Sequence, residues 1–145
     1  MAHVRQLIRD QFVTALSPSD IASTRVYNNR VDPMMILPAI NVTTPTEAIS
    51  DQYGEMGNVE TRDLEVLVEC YAEGSSTPDD TLDSLADEVV NTILNDSTLL
   101  GMSFDISIEE VDFSHSRDGN SPIGRADIRF AFLYQTDGTN PSVII

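Results

Sequence analysis

The sequence DLEVLVECYA, residues 63–72, alternates apolar side chains with mostly acidic ones. Successive side chains of a β-strand point to opposite faces of the sheet, so this pattern predicts a strand with one apolar and one acidic face. The apolar face would consist of Leu64, Val66, Val68, Cys70 and Ala72. The segment therefore predicts a sheet that is buried on one side.

Two segments have the spacing of amphipathic helices that would cover such a sheet. Residues 79–94 repeat apolar side chains at i, i+3, i+4 and i+7. The preceding Thr77-Pro78 supplies a hydroxyl cap and a proline suited to the first helical position. Residues 3–16 have similar spacing, and Ser17-Pro18-Ser19 would end that helix.

Short alternating or β-branched segments predict the remaining strands. These segments are residues 25–28, 39–43, 102–113 and 126–134. The last two should pair as a hairpin. Val111 and Phe113 fall out of phase with the apolar residues before them, so we predict a β-bulge near Glu109-Glu110.

Together these elements predict one α+β domain over residues 1–145, with a largely antiparallel sheet and two amphipathic helices packed on one face. Proline and glycine predict a long loop over residues 44–60. A turn is expected at residues 97–101 and a polar loop at 114–122. Residues 137–145 are expected to form a C-terminal arm.

The charge of the chain is strongly negative and unevenly distributed. The 145 residues include 24 acids and 8 bases, all of them arginine, for a formal charge of −16. Residues 32–116 hold nineteen of the acids and one arginine, whereas residues 1–31 hold four arginines and two acids. Such a surface disfavours binding to nucleic acid. The absence of lysine excludes a Schiff-base lysine and the lysine of a phosphate-binding loop.

Cysteine content and hydropathy indicate the cellular compartment in which the protein folds. A single cysteine excludes an intramolecular disulfide and a Cys-rich zinc site. No apolar run approaches the roughly 18 residues of a membrane span, and the N-terminus has no long apolar signal segment. We therefore expect a soluble protein that folds in the cytoplasm and has no membrane partner.

Side chains that suggest chemistry have simpler structural interpretations, and we predict no enzyme, cofactor or metal. The acids along residues 79–88 would lie on the convex solvent face of a helix, where they do not converge on a cation. Cys70 lies on the apolar face of its strand, where a thiol is usually inert. His3 and His115 have no neighbouring nucleophile in an elbow-like setting.

Arg125, Asp127 and Arg129 would share the face of the last strand that is opposite its aromatic residues. One interpretation is cross-strand pairing with acids such as Glu65 and Glu69. The other is contact between subunits, where opposite charges would relieve repulsion between copies of an acidic protein. The sequence leaves both open.

The order of these elements resembles the tail-terminator proteins, minor tail proteins of phages with long non-contractile tails. The resemblance rests on the residue patterns of six segments and on their order along the chain. They are MAHVRQLIR at 1–9, RVY at 25–27, LPAINV at 37–42 before a polar loop, DLEV at 63–66, the helix at 79–94 and ADI at 126–128.

The resemblance implies a hexameric ring in the virion, at the junction of tail and head, that is assembled in the host cytoplasm. Such a ring caps the tail-tube protein, stops its polymerisation and binds the head-side connector protein, while DNA passes through without specific binding. An acidic lumen would keep DNA from adhering. Candidate lumen or tube contacts are Glu47, Asp51, Glu55, Glu65 and Glu69. The alternatives are another neck or tail-completion adaptor and, in a different class, a small metal-dependent hydrolase.

Overall fold

The computed structural model describes residues 3–17, 26–28, 38–54, 57–73, 78–103, 105–118, 121–137 and 140–144. Its helices are α1 (Val4–Leu16), α2 (Pro78–Leu94) and α3 (Ser97–Met102). Its strands are β1 (Val26–Asn28), β2 (Ala39–Gly54), β3 (Gly57–Glu73), β4 (Asp105–Asp118), β5 (Ser121–Asp137) and β6 (Asn140–Ile144).

The described strands form a six-stranded sheet in the order β1-β2-β3-β5-β4, with β6 paired to β5. Strand β1 runs parallel to β2, and the other described pairings are antiparallel. The predicted α+β class with a largely antiparallel sheet is therefore confirmed.

Both predicted helices pack on one face of this sheet. The imidazole Nδ1 of His3 caps α1 by accepting a hydrogen bond from the backbone N–H of Arg5 at 3.0 Å. Phe12 of α1 meets Phe130 and Phe132 edge-on, with ring centroids 5.7 and 6.1 Å apart. Helix α2 contacts β3 and β5, and its buried side chains join the same core. The prediction of two helices on one face is confirmed.

The predicted loop over residues 44–60 is instead most of a long hairpin. Strands β2 and β3 pair from Ala39↔Tyr71 to Gly54↔Gly57, with one register shift between Thr43 and Thr46. Pro45 lies within that shift, where a residue without an N–H interrupts the ladder least. Pro45 thus marks an irregularity within the hairpin, and Gly54 and Gly57 form its last described pair.

The hairpin of the last two long strands and its bulge are confirmed. Strand β4 pairs with β5, and the register shifts between Ile108 and Glu110, which leaves Glu109 as the extra residue. The predicted loop over 114–122 is wrong, because the pairing continues to Asp118↔Ser121.

Two further local predictions are corrected. The expected turn at 97–101 belongs to α3, where the carboxylate of Asp96 accepts from the backbone N–H of Leu99 at 3.1 Å. The following strand consequently begins at Asp105. In the expected C-terminal arm, residues 140–144 form β6, which pairs with β5 at Thr136↔Ile144.

Candidate functional site

A buried ion-pair cluster joins α1 to the β2–β3 hairpin. The guanidinium of Arg62 lies 3.2 Å from the carboxylate of Glu47 and 2.6 Å from that of Glu60. Arg5 of α1 lies 3.2 Å from the same Glu47 carboxylate. The hydroxyl of Tyr134 donates a hydrogen bond to Glu47. The cluster contains two positive and two negative side chains, so its charges balance.

Glu47 faces the helix side of the sheet, not an open surface as a lumen or tube contact would require. Its side chain is 3% exposed. The register shift after Thr43 sets the phase of β2 so that Glu47 pairs with the core residue Leu64. Burial and the Glu47 carboxylate both raise the pKa of Tyr134 above its ordinary value, so the hydroxyl remains a hydrogen-bond donor into the alkaline range.

The opposite face of the sheet, here called the open face, carries a network of charged side chains. Arg125 lies 2.7 Å from Glu69 and 2.6 Å from Asp127. Arg129 lies 3.2 Å from Glu65. The interpretation as cross-strand pairs with Glu65 and Glu69 is confirmed for Arg129 and Arg125, whereas Asp127 contacts Arg125 within β5. Contact of Arg125, Asp127 and Arg129 with another subunit stays a prediction.

Neighbouring side chains hold Glu69 firmly in this network. The hydroxyl of Tyr71 donates to its carboxylate at 2.8 Å, and the amide of Asn41 donates at 3.1 Å. Burial raises the pKa of Tyr71, and its hydrogen bond to Glu69 raises it further. The Arg125 guanidinium also lies 5.6 Å from the centre of the Tyr71 ring. Glu65 and Glu69 are thus on the predicted face, and each lies in an ion pair with an arginine.

The open face also carries exposed acids that sequence reasoning did not single out, and one of them, Glu110, lies 3.7 Å from the guanidinium of Arg129. The register places Glu110 beside Arg129 and Asp112 beside Asp127, while Asp63 and Asp105 flank β5 at Leu133. All four carboxylates are exposed. The β-bulge is the sequence feature that could have identified Glu110 and Asp112, because the extra residue Glu109 turns both side chains onto this face.

For two other residues predicted to contact the lumen or the tube, Asp51 and Glu55, the structure does not describe the side chain. Asp51 lies in β2, where its backbone pairs with Glu60, but its side chain is not among those described. Glu55 lies outside the described residues. Their contact with a channel or tube stays a prediction.

A groove lies between α2 and β4 on the helix side of the sheet. It is open to solvent and has a volume of about 420 Å³. Its lining residues are Asp83, Ala86, Asp87, Val90, Val111 and Phe113. Val111 and Phe113 are 37% and 46% exposed, so α2 does not cover the end of the apolar face on β4. We call this feature the β4 groove.

The described residues also bear on other classes of site. Among them, no three or more His, Cys, Asp or Glu side chains are arranged to hold a metal ion. No described helix is long and apolar enough to cross a membrane. Cys70 is fully buried, as predicted, and burial raises its pKa to about 12, so it is a poor nucleophile.

The fold occurs in a known particle. No protein-family model and no curated protein sequence matches this chain. Its structure is similar to a chain in a solved structure described as "Virion of native gene transfer agent (GTA) particle", with a TM-score of 0.56 and 14% identity. The likeness covers 91% of this chain and 96% of the other. It therefore extends through nearly the whole fold.

Proposed function

We propose that this chain is a structural virion protein that caps a phage tail tube as a ring, stops tube polymerisation and provides the interface for joining the head. The observation that carries the proposal is the fold shared, over 91% of the chain, with a component of a gene transfer agent virion. The resemblance of the sequence segments to tail terminators supports the same role.

The edges of the sheet suit a protein that assembles with copies of itself. Strands β1 and β4 lie at opposite ends of the main strand order. An exposed strand edge can accept a neighbouring chain, and head-to-tail contacts of this kind close into a ring when the rotation allows. The ring is hexameric by resemblance, and it contacts a tail-tube protein on one side and a head-side connector on the other.

The open face suits the wall of a channel for DNA. Its exposed acids, Asp63, Asp105, Glu110 and Asp112, would repel phosphate groups. Glu65 and Glu69 lie on the same face within ion pairs, whereas Glu47 is buried and has no part in the lining. In this proposal DNA passes without specific contact.

The test is capping of tubes in solution. The purified tail-tube protein is polymerised with and without this chain, and tube lengths are measured by electron microscopy. A terminator shortens the tubes and leaves a ring at one end. An unchanged length distribution, with no density at the tube ends, would contradict the proposal.

A second candidate is another neck or tail-completion adaptor that stays monomeric until it docks. The ion pairs that Arg125 and Arg129 form within the chain favour it, since these side chains already have partners without a second subunit. Light scattering separates the candidates: a ring formed alone or with tube protein supports the terminator, and a single copy bound to its partner supports the adaptor.

A further inference from the structure

Among the strands that the structure describes, none pairs with the outer edge of β4, and this edge also carries exposed apolar side chains. β4 is the last strand of the main order, and it has 14 residues. Ile108, Val111 and Phe113 project from it on the helix side and are 37%, 37% and 46% exposed. A long edge strand with apolar side chains readily pairs with another chain unless something covers it.

The β4 groove extends this apolar strip beneath α2 and gives it an acidic rim. Ala86 and Val90 of α2 line the groove together with Val111 and Phe113. Asp83 and Asp87 lie at its margin and are exposed. An apolar floor with charged margins is the usual anatomy of a protein interface.

Charge identifies the surface that fits this groove. Residues 78–118, which include α2 and β4, contain eleven acids and one arginine, whereas residues 1–31 contain four arginines and two acids. Two grooves facing each other would bring acids against acids, so a symmetric contact is disfavoured. The N-terminal segment has the complementary charge.

Of the described part of that segment, β1 lies at the opposite end of the strand order, and α1 extends from it across the sheet to β5. Helix α1 packs on β1 and β2, and Arg9 of α1 donates to Asn28 of β1 at 2.7 Å and to Thr44 of β2 at 3.1 Å. Because β1 and β4 are at opposite ends of the strand order, contact between them joins copies head to tail.

We propose that the β4 groove binds the α1–β1 edge of a second copy of this chain. Phe113 and Val111 are the apolar anchors of the contact, and Asp83 and Asp87 pair with Arg9 of the neighbour, which Asn28 and Thr44 hold beside the β1 edge. The inference rests on the proposed ring, and it names the surface through which the ring closes.

The test is photocrosslinking from the groove. The photoreactive amino acid p-benzoylphenylalanine replaces Phe113 in the full chain, which is mixed with isotope-labelled copies, alone and with tail-tube protein. Trypsin cleaves after Arg5, Arg9, Arg25 and Arg30, so a cross-link to the neighbour's N-terminal segment is readily mapped by mass spectrometry. The matched control carries the same group at Leu100, an exposed apolar residue of α3 outside the groove.

The proposal predicts cross-links from position 113 to residues 1–31 of a labelled copy, and none to that segment from position 100. The mass of the same sample is measured in parallel. Cross-links to another region within a ring would overturn this inference and leave the proposed function intact. Single copies that still cap tubes would overturn it in favour of the adaptor. Single copies that do not cap tubes would overturn both.

A substitution of Phe113 measures how much this side chain contributes to self-association. Phe113→Asp is expected to weaken self-association about tenfold or more, as loss of a buried aromatic anchor does. Leu100→Asp should leave self-association unchanged. Both sites are exposed, so thermal unfolding verifies that each variant is folded. Equal association of the two variants would overturn the inference.

Discussion

The guanidinium of Arg62 lies 3.2 Å from the carboxylate of Glu47, and both side chains are almost completely buried. Arg5 of α1 also lies beside the Glu47 carboxylate, and the hydroxyl of Tyr134 in β5 donates a hydrogen bond to it. A buried ion pair adds little stability over an apolar replacement of both partners, but loss of one partner leaves an uncompensated charge. The cluster therefore connects α1 to the β2–β3 hairpin through the Glu47 carboxylate.

Removal of Arg62 should be far more costly than removal of Arg5. Arg62→Met is expected to lower the free energy of unfolding by about 3–5 kcal/mol, because Glu47 loses its buried partner. Arg5→Met removes a side chain that is 47% exposed, and we expect a loss of about 1 kcal/mol or less. Urea denaturation of both variants measures the difference. Equal losses would contradict the role assigned to the cluster.

Phe12 should hold α1 on the sheet. Phe12→Ala removes the edge-on contacts with Phe130 and Phe132, and we expect it to lower the free energy of unfolding by about 3–5 kcal/mol. Leu7→Ala is the matched control on the exposed side of the same helix, with an expected change within about 0.5 kcal/mol. If Phe12→Ala lowered the free energy of unfolding no more than Leu7→Ala does, the result would contradict the packing of α1 on the sheet.

The regular parts of the fold were predictable because their hydrophobic patterns are strong. The alternation from Leu64 to Ala72, the helix ending at Leu94 and the bulge at Glu109 all follow from local sequence. The β2–β3 hairpin did not, because Pro45, Gly54 and Gly57 are also typical of loops. Only the pairing with β3 makes residues 44–54 a strand, and that pairing is a long-range contact.

Part of the candidate site was predictable because the alternation of side chains along a strand assigns each of them to one face of the sheet. Alternation along β3 and β5 placed Glu65, Glu69 and Arg129 on one face, and the structure pairs Arg129 with Glu65. The burial of Glu47 depends on the register shift after Thr43, which local sequence does not specify. The β4 groove depends on how far α2 reaches across the sheet, a tertiary property that periodicity does not encode.

Cys70 should make the stability fall at alkaline pH. Burial raises its pKa from 9.0 to about 12, so the unfolded chain releases this proton first. The contribution of Cys70 is therefore complete below pH 9.0 and is lost as pH rises towards 12. Cys70→Ala should flatten the decline of unfolding free energy in this window by up to about 1.4 kcal/mol per pH unit.

Cys70→Ser provides the control for that pH series. Serine does not titrate in the window, so both variants should have the same flatter slope even where their stability at neutral pH differs. The measurement is urea denaturation repeated across the pH range. A wild-type slope that matches both variants would show that the thiol titrates alike in the folded and unfolded chains.

Exposed acids of the open face should ease DNA passage. Asp112→Lys places a positive charge on that face, and we expect particles with this variant to have tails of normal length but slower DNA ejection. Asp80→Lys makes the same charge change on α2, which packs on the other side of the sheet, and should leave ejection unchanged. Ejection is followed by fluorescence of a DNA-binding dye. Identical rates for the two variants would argue against an acidic channel wall.

Electron microscopy of tails assembled without this chain tests the central claim most directly. If the chain terminates the tail tube, deletion of its gene in the particle that encodes it yields abnormally long tubes without heads, and supply of the intact chain restores the normal length. Tails of normal length joined to heads in the deletion strain would contradict the account.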